Sequence, residues 1–337
     1  MDATTVTIRA DGLQSLGSQP RRVPARHTRV MQLPVKVACV QAEPVILDRS
    51  ATIAKLADLT AEAAAAGAQL VVFPETFIPV YPSSAWAKAF AGWADPRAKA
   101  AFALLARESV AVPGPDCDRL GEIARENGVW LVTGVNEFNP ARPGTLYNSL
   151  LYHAPNGSLA QHHRKLVPTN HERLIWGQGD GGGLEAIDTP VGRLGGLICW
   201  ENYMPLARFS LYASGVEVYV ASTADDGDAW QATLVHIARE SRAFVVAPSH
   251  FQRAASYPAD FPLADEIAGL DVIGRGGSAI LGPDGGYLAG PLYDKEGILY
   301  AEFDPDRIAS ERQRFDPVGH YHRPDVLQLT VTPRPQV

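Results

Sequence analysis

The 337-residue chain is 46% hydrophobic and carries a formal net charge of -7. That length and apolar content suffice for a sizeable core, in one large α/β domain or two small ones. The acidic balance argues against nucleic acid or an anionic membrane as the main partner, because both reward a basic face.

Cys39, Cys117 and Cys199 form an odd, widely spaced set without a CxxC pair. They encode neither a disulfide framework nor a zinc cluster, and they suit a reducing cytoplasm. No run reaches the roughly 18 to 20 apolar residues of a membrane span, and the N-terminus lacks the apolar stretch of a secretory signal. Residues 1–33 read as a disordered tail, with Arg9, Arg21, Arg22, Arg26 and Arg29 set among Gly, Ser and Pro without periodicity.

The first buried strand is expected over 35–41. Ser50 is placed to cap a helix running through Ile53, Leu56, Ala57, Thr60 and Ala64, which Gly67 ends. A strand over 69–73 follows. After a long insertion at 79–116 come a helix over 118–127, stopped by Gly128, and a strand over 129–135. This β-α-β alternation marks a layered α/β fold. Segments 146–153 and 159–162 flank Pro155-Asn156-Gly157 and read as a hairpin, so strands also pair antiparallel. A second hairpin is expected from 184–189 and 193–198. Beyond it lie a helix over 205–214, a strand over 216–221, a helix over 228–242 and a strand over 244–247. Further strands fall near 278–281, 287–289 and 298–303. No repeat or linker divides the chain, which predicts one domain over 34–315 and a C-terminal arm over 316–337. Helices together with antiparallel pairs imply two sheets with helices outside, and strand-end loops that gather the chemistry.

Three strand ends carry reactive groups. Cys199 ends the apolar run 194–198 at a strand-to-helix junction, where helix amides lower a thiol pKa and receive developing negative charge. Alone, it reads better as a small core cysteine. Glu75 lies within Phe73-Pro74-Glu75-Thr76-Phe77, and apolar surroundings raise a carboxyl pKa toward the range of a base working near neutrality. Its alternative is an exposed loop or capping residue. Lys165 follows His162-His163-Arg164 and precedes an apolar pair, which also fits a solvated basic turn. Adjacent histidines on a strand point to opposite faces and no acidic ligand motif accompanies them, so no metal site is expected.

Together the three segments resemble the nitrilase family of the carbon-nitrogen hydrolases. The resemblance rests on Phe-Pro-Glu at 73–75, His-Arg-Lys-Leu-Val-Pro at 163–168, Glu-Arg-Leu at 172–174 and Cys-Trp-Glu-Asn-Tyr-Met-Pro-Leu-Ala-Arg at 199–208. It extends from about Lys36 to Leu327, through Thr223-Ala224-Asp225-Asp226. The resemblance implies a four-layer αββα sandwich and a catalytic set of Glu75, Lys165 and Cys199, with Glu172 helping to hold it. Trp200, directly after the nucleophile, points to the nitrilase branch rather than to amidases or carbamoylases. The implied reaction converts an organic nitrile to its acid and ammonia through a covalent thioimidate and thioester, with Lys165 and backbone amides near 199 and 200 stabilising developing charge. No metal or organic cofactor is implied. Amide hydrolysis, or nitrile or cyanide hydration at the same site, is the alternative, and a non-catalytic binding module on the same scaffold is a remote one.

Trp200 and Tyr81 are candidate substrate-binding residues. Trp86, Phe90 and Trp93 in the insertion could line the pocket or pack as core, and Phe251, Tyr257 and Phe261 in the 250–274 loop could border the pocket or an interface. Trp176, Asp180, Asp225, Asp226, His236 and Cys39 read as scaffold. The partner implied is a small-molecule nitrile, and the assembly implied is a homo-oligomer, a dimer or a larger spiral.

Overall fold

A computed structural model describes residues 33–333, together with Met31 and the backbone of residues 21–22. Two sheets organise the chain. In the first, Gly297–Phe303, Val35–Gln41, Leu70–Val72, Trp130–Phe138, Leu146–His153 and Leu159–Arg164 lie side by side in that order. In the second, the order is Phe251–Arg253, Val272–Leu281, Phe244–Ala247, Val218–Val220 and Leu194–Gly196, and Tyr287–Tyr293 also pairs with Val272–Leu281. Each sheet contains three neighbouring parallel strands: Val35–Gln41, Leu70–Val72 and Trp130–Phe138 in one, and Leu194–Gly196, Val218–Val220 and Phe244–Ala247 in the other.

The period of two along each strand builds the layers. Val35, Val37, Cys39, Val72 and Val132 share one apolar cluster with Val218, Val220, Phe244 and Val246 of the opposite sheet. The intervening Ala38, Val40, Val71 and Leu131 pack instead with Ile53, Leu56, Leu120 and Ile123 of helices Arg49–Ala65 and Pro115–Asn127. Tyr219 and Val245 meet Leu211, Leu234 and Ile237 of helices Pro205–Ala213 and Asp228–Ser241 on the far side. Strands apolar on both faces need cover on both, and the result is the αββα sandwich expected.

Several local expectations are corrected. The first helix begins at Arg49, and Asp48 rather than Ser50 caps it, accepting the Ala51 amide at 2.9 Å. Leu47 in a left-handed conformation (φ 59°) turns the chain one step earlier, which leaves Ser50 inside the helix. The second hairpin is reduced to one antiparallel bridge, Ile187 to Leu194. Leu194–Gly196 runs parallel to Val218–Val220 instead, so tightly that a Cβ on Gly196 would lie 2.1 Å from the Val220 carbonyl oxygen. A helix that the sequence reading passed over, Pro305–Arg314, is capped by Asp304.

Most of the expected tail at 1–33 lies outside the described residues. Within it, Met31 is buried with its amide 2.9 Å from Glu217 Oε2, and Arg21–Arg22 pairs with Thr330–Val331. The insertion at 79–116 carries the helix Pro96–Arg107. Its Trp86 and Leu105 share one apolar cluster with Tyr257, Phe261 and Ile267 of the later loop. Among the described residues no helix is long and apolar enough to cross a membrane.

One crossing positions the site. The chain leaves Leu70–Val72 and stays on Trp130–Phe138: the Phe73 amide donates to the Val132 carbonyl at 2.9 Å, and the Ile78 amide to that of Gly134 at 3.3 Å. Between these ties, residues 74–76 arch over Gly134, where a Cβ would lie 2.1 Å from the Pro74 oxygen and 2.5 Å from the Thr76 nitrogen. Backbone on backbone cannot yield cheaply. Gly134→Ala should therefore displace Glu75 and lower kcat by about 10²-fold, measured by steady-state turnover alongside thermal melting. Turnover at the parental rate would show that the arch tolerates the side chain.

Candidate active site

Lys165 sits one residue beyond Leu159–Arg164, and its amide donates to the Asn148 carbonyl at 2.8 Å. Its side chain is buried between two carboxylates, with Nζ 3.0 Å from Glu75 Oε1 and 2.7 Å from Glu172 Oε2. Burial works against that charge, but Glu75, Cys199 and Glu172 outweigh it and hold the ammonium well above its ordinary pKa. Lys165 is thus a fixed cation.

Glu172 reaches the lysine because Pro168 and Thr169 turn the chain into the short helix Asn170–Leu174. There Glu172 Oε2 also accepts the Thr169 amide at 2.6 Å, and Oε1 accepts the Tyr81 hydroxyl at 2.8 Å. Tyr81, expected at the substrate, therefore holds Glu172, with its ring 6.0 Å from that of Trp176 and 5.7 Å from that of His250.

Glu75 is wholly buried. Oε1 accepts both the Asn148 amide, at 2.6 Å, and Lys165, whereas Oε2 is buried without a partner. One oxygen is thus saturated and the other is open to take a proton. Burial pushes the carboxyl pKa up to about 6, with Lys165 pulling it down and Glu172 pushing it up. The His250 Nε2 bonds the backbone carbonyl of Glu75, and burial pushes the pKa of that histidine down to about 4.

Cys199 opens the short helix Cys199–Tyr203 in a left-handed conformation (φ 51°). Thr223 Oγ1 lies 3.1 Å from its Sγ. Two sequence expectations are corrected here. Burial and the Glu75 charge drive the thiol pKa up, against the opposing pull of Lys165 and the Thr223 hydroxyl, so the resting group is the thiol. The Cys199 amide is also spent on the Ser222 carbonyl at 2.8 Å. Of the two amides proposed to receive charge, only that of Trp200 remains open among the described residues.

Behind Cys199 lies a pair that the sequence reading passed over. The Glu201 carboxylate accepts the Ile198 and Leu166 amides, both at 2.8 Å, and the His163 Nε2 at 2.9 Å. It ties the cysteine turn directly to the lysine segment. Burial pushes its pKa up, but His163 and these hydrogen bonds win and hold it below the usual carboxylate range. An acidic residue two places after a reactive cysteine was the available signal.

The remaining candidates lie outside this cluster. Trp200 is 49% exposed and its indole donates to Asp225 Oδ2 at 2.6 Å. Trp86 is core and donates to the Tyr257 hydroxyl at 2.8 Å, while Trp93 is 96% exposed. Trp176 donates to Asn136 at 2.8 Å, Asp180 accepts the Gly182 amide at 2.8 Å, and Asp226 accepts that of Arg275 at 3.0 Å. Cys39 is buried between the sheets, and His236 is exposed beside Glu240.

A buried thiol, an open carboxylate oxygen and a fixed ammonium on an αββα sandwich make an arrangement suited to a hydrolase. The chain belongs to the nitrilase family of the carbon-nitrogen hydrolases: the carbon-nitrogen hydrolase profile matches residues 36–313. It is 45% identical to an aliphatic nitrilase of Sinorhizobium fredii (strain HH103) over 303 residues, 89% of this chain and 96% of that one. It is 43% identical to the bifunctional nitrilase/nitrile hydratase NIT4B of Nicotiana tabacum, over 88% of this chain and 86% of that one. In fold it is similar to the carbon-nitrogen hydrolase from Helicobacter pylori G27, with a TM-score of 0.67 at 23% identity, covering 87% of this chain and 96% of that one.

A base must be ionised to accept a proton. With the Glu75 carboxyl near 6, kcat/KM should rise with pH through about 6 and level above it, the limb belonging to the coupled cluster rather than to one residue. Glu75→Gln should remove that limb and lower the rate by about 10²- to 10⁴-fold. A pH-rate profile of both proteins checks this, and a surviving limb in the variant would assign the titration elsewhere.

Proposed function

We propose that the protein is a nitrilase, hydrolysing an organic nitrile to its carboxylic acid and ammonia. The observation that carries this reading is the open Glu75 Oε2 beside a buried Lys165 and Cys199, in a chain whose relatives are named nitrilases.

Glu75 takes the Sγ proton as sulfur attacks the nitrile carbon. A carbon-sulfur bond forms, one carbon-nitrogen π bond breaks, and its electron pair goes to nitrogen, which is protonated to a thioimidate. Lys165 and the Trp200 amide meet the charge that builds on nitrogen or oxygen. Glu75 then deprotonates a water that adds to the same carbon. Expulsion of ammonia leaves a thioester, and a second water cleaves it to the acid and restores the thiol. Glu172, held by Tyr81 and Thr169, keeps Lys165 in place.

The tetrahedral species can instead expel the cysteine sulfur and release an amide. This second outcome is favoured as a minor route by the relative named as both nitrilase and nitrile hydratase. The catalytic domain is proposed over 34–315, with Trp200 at the mouth of the site. The free, buried Cys39, Cys117 and Cys199 support a cytoplasmic setting. Half-exposed Trp200 and Tyr203, with Leu206 on the adjoining helix, support a homo-oligomer, a dimer or larger spiral.

Incubation with aliphatic, aryl and arylaceto nitriles should release ammonia and acid in excess over amide. Cys199→Ala should stay folded and lose at least about 10³-fold in turnover. Separate assay of ammonia, acid and amide checks both, and amide as the sole product would replace hydrolysis with hydration.

A further inference from the structure

Thr223 lies just beyond the parallel strand Val218–Val220 and is wholly buried. Its backbone is fixed, because its amide donates to the Pro248 carbonyl at 3.0 Å and the residue bridges to Ser249. Its hydroxyl has two neighbours of opposite kind. The Asp225 amide donates to Oγ1 at 2.9 Å, and Cys199 Sγ lies 3.1 Å away. With the Asp225 amide on one lone pair, the hydroxyl hydrogen is free to be donated, and the contact has Thr223 Oγ1 donating to the sulfur.

Asp225 is held in turn. Its Oδ1 accepts the Gly227 amide at 2.9 Å and its Oδ2 the Trp200 indole at 2.6 Å. The chain of contacts therefore leaves Cys199 through Thr223 and returns through Asp225 to Trp200, the residue next to the nucleophile. Trp200 acquires a role here that does not require it to touch substrate: it fixes the Asp225 turn, whose amide orients the hydroxyl.

We propose that Thr223 is a further catalytic residue, a hydroxyl donor that stabilises the Cys199 thiolate, and that Asp225 and Trp200 are positioning residues acting through it. The proposal rests on the reading of Cys199 as nucleophile. When the Sγ proton passes to Glu75, the Thr223 hydrogen stays on its own oxygen and faces the charge left on sulfur. A charge-assisted hydrogen bond is stronger than a neutral one, so the contact tightens as the thiolate forms. The site needs such help, since burial and the Glu75 charge both oppose ionisation of this thiol.

The charged or titratable groups that face the sulfur are Glu75 from the loop after Leu70–Val72, Lys165 and Glu172 from the segment after Leu159–Arg164, and Tyr81. His250 stands behind them on the Glu75 carbonyl and against Tyr81, and His171 is also against Tyr81. Substitution at Thr223 leaves all of these in place, so a change in thiol ionisation reads the hydroxyl.

The test is the pH dependence of Cys199 alkylation by iodoacetamide, followed by mass of the Cys199 peptide, together with nitrile turnover. Thr223→Val keeps the shape and loses the donor. It should move the alkylation midpoint upward by about one pH unit and lower kcat/KM about tenfold with KM little changed. Thr223→Ser should restore both, and Trp200→Phe should shift the midpoint in the same direction by less. Thr223→Ala serves if the valine chain does not fold. An unmoved alkylation profile in the folded variant overturns the proposal whatever happens to turnover, because a merely structural hydroxyl would not set thiol ionisation. Cys199→Ala run in parallel separates the two readings. If it retains turnover, the nucleophile assignment itself falls; if it is inactive while the Thr223→Val profile is unmoved, only the present proposal falls.

Discussion

A buried ammonium held between two buried carboxylates is the constraint around which the structure is arranged. Lys165 is unexposed and bonds both Glu75 and Glu172. Three desolvated charges are tolerable only if every lone pair and proton not needed for chemistry is occupied. Asn148 takes one lone pair of Glu75, and Tyr81 and Thr169 take those of Glu172. Among the described residues Glu75 Oε2 is the one buried carboxylate oxygen without a partner, as the proposed proton carrier requires.

Holding this cluster demands backbone that an ordinary strand or helix cannot supply. Thr76, Asn170 and Cys199 adopt positive φ, at 42°, 45° and 51°. Each is a catalytic candidate or lies within two residues of one. Local strain of about 1–3 kcal/mol at such positions persists only where the surroundings over-determine it. Here they do. The Glu75 arch is tied at both ends to Trp130–Phe138, Thr169 and Glu172 bond each other reciprocally, and Cys199 bonds Ser222 through its amide and Asn202 through its carbonyl. Glu201 then joins the lysine and cysteine segments through two backbone amides and His163.

The insertion at 79–116 and the loop at 250–274 belong to the same logic at longer range. Both share one apolar cluster, with Trp86 against Tyr257 and Phe261. Trp86, Tyr257 and Phe261, which looked available for substrate, are therefore packed against one another, and Tyr81 is engaged with Glu172.

By itself the sequence determined the layers and pointed to the chemistry. Strands apolar on both faces, alternating with amphipathic helices, leave little choice but sheets covered on both sides. Glu75, Lys165 and Cys199 each follow a strand, and it is the three segments taken together, through their resemblance to a family, that single them out, since each alone also reads as scaffold. Helix stops at Gly67 and Gly128 were legible because glycine meets the left-handed turn at no steric cost. Only the tertiary structure decided what depends on residues distant in the chain. The parallel run of Leu194–Gly196 beside Val218–Val220 dissolved an expected hairpin, because pairing with a distant strand of the same sheet outweighed a local turn. The thiol is raised rather than lowered, because burial and the Glu75 charge arrive from other strands while the nearest amide is taken by Ser222. Asn148 and Thr223 carry no local mark of function, and Glu201 has only its place two residues after Cys199. Their roles come from which atom each meets across the fold, and periodicity or composition does not encode such a meeting.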